Sequence, residues 1–91
     1  MMTPSQIRIV LGRAIGFVPP NGWQDTPSAY PDVMACLTAV AKAETILLTT
    51  NELWNKYELE LAGIITVPKH TLSANAAQRS EGLLKTIGKY V

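Results

Sequence analysis

Apolar residues recur at helical spacing in four stretches of the chain. In the first, Ile7, Val10, Leu11 and Ala14 follow the i, i+3, i+4, i+7 pattern of one buried face. Thr3 and Gln6 stand three apart ahead of it, which predicts a capping box, with Pro4 at the first helical position, where its missing N–H is harmless. Gly16 is placed to end that helix in the left-handed conformation. The second stretch predicts a helix from Pro31-Asp32 to about Thr45. Val33, Leu37, Val40 and Ala41 form its buried stripe, and Cys36 is a small hydrophobe in mid-helix. The third carries a capping pair, Thr49 with Glu52, followed by Leu53, Trp54, Tyr57 and Leu61, and Gly63 as the stop. Residues 64–72, interrupted by Pro68, read as a connector. The fourth starts at Ser73 as N-cap, runs through Ala76, Ala77, Leu83, Leu84 and Ile87, and stops at Gly88.

Two stretches break the helical rhythm. Residues 17–31 hold Pro19, Pro20, Pro27 and Pro31 together with Gly22, so neither a continuous helix nor a central strand fits. Phe17, Trp23 and Tyr30 in the same stretch favour an irregular strap laid over the helices. Tyr57 to Leu61 alternates with period two, as a half-buried strand does, and a hairpin with Ile46–Thr49 is the competing arrangement. Good helix formers and the cap favour the helix. The expected fold is therefore an all-α, single-domain bundle of about four helices over residues 1–91 with a proline-rich strap. The alternative is α+β, with a short hairpin around residues 45–65.

Composition narrows the function classes. At 91 residues, with 47% apolar and 16% charged side chains and a net charge of +1, the chain has room for one core. It is too apolar for disorder. Cys36 is the only cysteine and His70 the only histidine, which excludes an internal disulfide and a multi-cysteine or two-histidine metal cage within one chain. No phosphate-binding glycine loop occurs, and Gly12 to Gly16 is explained by the helix stop. The expectation is no enzyme, no cofactor and no metal. With no targeting segment and no long apolar run, a cytoplasmic location without a membrane span is expected.

Charge is uneven along the chain. Arg8 and Arg13 are the only charges in residues 1–16, and Lys69, Arg79, Lys85 and Lys89 outnumber Glu81 after residue 68. Acids prevail in residues 17–32, with Asp25 and Asp32, and in residues 50–63, with Glu52, Glu58 and Glu60 against Lys56. A neighbouring first and last helix would give one basic side, although Arg8 and Arg13 stand about 140° apart round their helix. Trp23 is the candidate interface anchor, since Trp54 falls on the core stripe.

Two segments carry a resemblance. Tyr30-Pro31-Asp32-Val33 leading to Ala39-Val40-Ala41-Lys42-Ala43-Glu44, and Ala74-Asn75-Ala76-Ala77-Gln78-Arg79-Ser80-Glu81 running on to Leu83-Leu84-Lys85-Thr86-Ile87-Gly88, are similar to small uncharacterised accessory proteins of tailed bacteriophages and prophages. Ala14-Ile15-Gly16-Phe17 echoes the end of their opening helix, and Gly82 departs from their usual alanine. That departure predicts a helix weaker by about 1 kcal/mol. The resemblance implies a phage product made in an infected bacterium, acting without catalysis on a host macromolecule. The leading expectation is a protein-binding inhibitor of a host defence or regulatory complex, an anti-CRISPR-like or host-takeover factor. The alternatives are a DNA- or RNA-binding accessory domain and a structural or assembly module, with homo-oligomers open in either case. The candidate interaction surface is Trp23, Arg8, Arg13, Gln78, Arg79, Lys85 and Lys89.

Overall fold

Thr3 caps the first helix as the spacing predicts. Its Oγ1 accepts from the Gln6 N–H at 3.2 Å, and Gln6 Oε1 accepts from the Thr3 N–H at 2.8 Å. The computed structural model of the chain describes residues 1–22, 26–64 and 74–91. Within them lie four α-helices: α1 (Pro4–Ala14), α2 (Leu37–Leu47), α3 (Asn51–Ile64) and α4 (Ala76–Thr86). A single 3-10 turn, Pro27–Ala29, follows α1 and packs on it. Among the described residues there is no strand. The stretch that could have made a hairpin is helical at Asn51–Ile64.

α4 is the hub. It packs against α1, α2 and α3, and most extensively against α3. One hydrophobic cluster draws from all four helices, including Ile7, Leu11, Val40, Ala43, Tyr57, Leu61, Leu83 and Leu84. Each large apolar side chain removed from water in this way contributes about 1.5–3 kcal/mol. α1 and α4 end alike. The Phe17 N–H donates to the Gly12 carbonyl and the Gly16 N–H to the Arg13 carbonyl, both at 3.0 Å. Lys89 and Gly88 repeat the pattern on Leu84 and Lys85. Gly16 (φ 81°) and Gly88 (φ 75°) supply the left-handed residue that this closing motif requires.

Several boundaries differ from the sequence expectation. α2 begins at Leu37, not near Pro31-Asp32. Residues 33–35 form a separate turn in which the Asp32 carbonyl accepts from the Cys36 N–H at 2.9 Å, and Cys36 itself is extended (φ −113°, ψ 111°). That one non-helical residue uncouples the faces on either side of it. Val33 is fully buried, while Leu37, expected on the same stripe, is 56% exposed, and Ala41 is also exposed. α3 is capped by Thr50, whose Oγ1 accepts from the Leu53 N–H at 3.2 Å, rather than by Thr49, and it runs past Gly63 to Ile64. α4 is capped by Asn75 in a full capping box with Gln78; Ser73, expected in that role, lies outside the described residues. The connector over residues 64–72 falls almost entirely outside them as well.

The strap is only partly the expected cover. Tyr30 is buried, but Phe17 is still 38% exposed, its ring tilted at 54° against that of Tyr30 at 5.8 Å. Trp23 lies outside the described residues.

Candidate interaction surface

The basic residues singled out from the sequence are largely engaged within the fold. Arg8 Nε donates to the Tyr30 carbonyl at 3.0 Å and Arg13 Nε to the Tyr30 hydroxyl at 3.3 Å. Between them in helical angle is Gly12, where an added Cβ would come within 2.5 Å of the Tyr30 ring. Tyr30 thus lies across a bare strip of α1, and the two arginines, though on different faces, hold its two ends. Arg8 also approaches Asp32 at 4.0 Å. Gln78 serves the α4 cap. Lys85 pairs with Glu81 at 3.2 Å and lies 5.1 Å from the centroid of the Tyr90 ring. The Tyr90 hydroxyl donates to the same Glu81 carboxylate.

Arg79 belongs to the interior. Its guanidinium is 3.7 Å from Glu44, and its Nε donates to the Ala74 carbonyl at 3.1 Å. The Tyr57 hydroxyl donates to the other oxygen of the Glu44 carboxylate. Burial, reinforced by that bond to Glu44, pushes the Tyr57 phenol far above the ordinary tyrosine range. This arrangement joins α2, α3 and α4 through one closed polar group. Nearby, Ser80 Oγ donates to the Val33 carbonyl at 2.6 Å and ties the turn before α2 to α4. Among the described residues no buried side-chain nitrogen or oxygen lacks a partner. A fully satisfied group of this kind specifies packing.

The open surface lies elsewhere. The C-terminal turn of α1 and the outer stripe of α2 enclose a groove of about 480 Å³. Ile15, Phe17, Cys36, Ala39, Lys42 and Ile46 line it. Cys36, expected to be buried in mid-helix, is instead the exposed residue just ahead of α2 and borders this groove. Ile46 is 48% exposed. Lys42 is the only charged side chain in the lining and has no ion-pair partner among the described residues. A second open depression, about 340 Å³, is lined by Val10, Arg13, Ala14 and Lys89. It brings together Arg13 and Lys89, two of the residues expected at a basic surface. Both depressions border the end of α1. Trp54, expected in the core, is 39% exposed and stands edge-on to Tyr57, with ring centroids 5.8 Å apart.

Sequence reasoning missed Lys42, Ala39 and Ile46 as surface candidates. The signal was present in α2, which carries apolar residues outside its buried stripe at Leu37, Ala39 and Ile46. A helix apolar on more than one side has more than one side to cover. Among the described residues no group of three His, Cys, Asp or Glu side chains is placed to hold a metal ion, and no helix is long and apolar enough to cross a membrane. Compared with known protein families, curated protein sequences and solved structures, the chain matches none.

Proposed function

We propose that this chain is a phage-encoded accessory protein that acts by binding a host protein in the bacterial cytoplasm, as an inhibitor of a defence or regulatory complex, and that it catalyses nothing. The observation that carries the binding role is the open apolar groove between the end of α1 and α2. Grooves lined by aliphatic and aromatic side chains with a few polar groups are where protein segments dock. The phage setting rests on the likeness of the Tyr30–Glu44 and Ala74–Gly88 segments to accessory proteins of tailed phages. The absence of catalysis is supported by Cys36 facing a mostly apolar lining and by Glu44, the one buried acid among the described residues, being held by Tyr57 and Arg79.

Nucleic-acid binding is the second reading, favoured by the depression that pairs Arg13 with Lys89. It is the weaker one, because Arg8, Arg13, Arg79 and Lys85 are held by groups of the same chain. The two readings separate in one experiment. A photo-crosslinker attached at Cys36 should join the protein to a stoichiometric protein partner in a bacterial lysate, with capture persisting at moderate salt. Capture of nucleic acid alone, with affinity falling steeply as salt rises, would establish the second reading instead.

A further inference from the structure

α2 carries two overlapping stripes that could face the core, and the fold uses the one with a charge in it. The inward side is Val40, Ala43, Glu44 and Leu47, with Glu44 only 8% exposed. Ala39, Ala43, Ile46 and Leu47 stand at i, i+4, i+7 and i+8 and make a stripe with no polar member. At the helical repeat the centres of the two stripes lie about 65° apart, so a modest roll of α2 about its axis exchanges Val40 and Glu44 for Ala39 and Ile46. Apolar content alone favours the rolled helix, which would bury Ile46, now 48% exposed, and return Glu44 to water. The ends of α2 permit the motion. Cys36 before it is extended, no side chain caps its first turn, and Leu48 after it is non-helical (φ −94°, ψ 75°).

What opposes the roll is the Glu44 carboxylate. It accepts from the Tyr57 hydroxyl of α3 and meets the Arg79 guanidinium of α4 at 3.7 Å. A buried acid is tolerated only where its partners stand, so these two fix the angle of α2 as well as its position. We infer that the Glu44–Tyr57–Arg79 group is a rotational lock on α2. It selects the roll that leaves Ala39 and Ile46 in the wall of the groove; released from it, α2 turns them inward and the groove closes. A buried polar residue choosing between packings that apolar side chains leave open has its precedent in the register of coiled coils. The inference stands independently of what occupies the groove.

The test follows the exposure of position 46. In the full chain, Cys36→Ser with Ile46→Cys leaves a single thiol on this side of α2, and its rate of reaction with a maleimide dye reports whether that side faces water. In the same background, Tyr57→Phe with Arg79→Met strips Glu44 of both partners. The expected product is helical by circular dichroism, and its thiol reacts about tenfold more slowly, as when roughly nine molecules in ten have rolled. A fold merely loosened by the substitutions would label faster. An unchanged or faster rate in a folded protein overturns the inference. If this variant does not fold, the decision passes to Glu44→Ala with Tyr57→Phe and Arg79→Met, in the chain with Cys36 and Ile46 restored, where no polar group demands either roll. Amide resonances of α2 that double or broaden by exchange while the rest stay sharp then support the lock, and one sharp set throughout overturns it. Failure of this variant to fold overturns it as well, since the group would then be holding the bundle together rather than choosing between two rolls.

Discussion

Two tyrosines in this molecule each settle against a helical glycine, and they do so under opposite conditions. Tyr57 of α3, with Leu61, packs on Gly82 of α4 and sends its hydroxyl into the interior, to Glu44. Tyr30 of the strap packs on Gly12 of α1 and sends its hydroxyl outward, to Arg13. At the inner seat a Cβ on Gly82 would meet the end of a Leu61 side chain at 2.9 Å and the Tyr57 ring at 3.2 Å, so that a terminal methyl makes the tightest contact. At the outer seat a Cβ on Gly12 would meet the Tyr30 ring at 2.5 Å and the Tyr30 Cβ at 3.2 Å, and neither can rotate out of the way. The inner seat is therefore the less tight of the two, around a demanding polar group. The outer seat is steric exactitude around a buried ring whose hydroxyl meets the exposed Arg13. Energetic weight sits with the hydroxyl in one and with the glycine in the other.

Four measurements sharpen or break that contrast. Glu44→Ala leaves the Tyr57 hydroxyl and the Arg79 guanidinium without their shared acceptor in the interior and should cost about 3 kcal/mol in urea unfolding. A loss under about 1 kcal/mol would mean that water reaches the inner seat. Next, Gly12→Ala should cost about 2 kcal/mol even after its gain in helix propensity, whereas Gly82→Ala should fall within about 1 kcal/mol of the parent. Reversal of that order would refute the ranking of the two seats. The third is a matter of pH. Because the folded-state pKa of Tyr57 lies above its unfolded value, the stability it contributes is intact below the ordinary tyrosine value and drains away as pH rises beyond it. Between pH 10 and 11 the parent should lose about 1 kcal/mol more than Tyr57→Phe does. Equal losses would place the phenol in water. The smallest effect is expected at the outer seat's polar end, where Arg13→Ala should cost about 0.5 kcal/mol, as exposed partners do.

Much of this fold was legible because its signals are local. The Thr3–Gln6 capping box, Pro4 behind it and the closing glycines Gly16 and Gly88 each act within one turn of chain, and each stands where the spacing put it. The start of α2 was not legible. No proline or glycine marks the break at Cys36, and what holds the preceding turn is the bond from Ser80 to the Val33 carbonyl, 47 residues away along the chain. A periodicity argument carried Val33 and Leu37 together because it had no means of seeing that contact. The same error hid the groove, since turning Leu37 and Cys36 outward is what exposes this side of α2. The internal engagement of the basic residues was hidden for a related reason. Charge along a sequence does not reveal which cations the fold will take for itself, and here Arg8, Arg13, Arg79 and Lys85 are taken. Gly82, which looked like a weakness in α4, has its cause in the approach of Tyr57 and Leu61 from another helix.

The placement of α4 bears on how the molecule is made. Translation delivers α1, α2 and α3 first, yet each of them has its main packing partner in the helix that follows all three. Until α4 emerges, the nascent polypeptide holds greasy stripes with nothing to close on, and a message cut short before Ala76 would yield a product that cannot consolidate. Assembly of this bundle thus waits until α4 has left the ribosome, and quality control in the producing cell has until then to intervene.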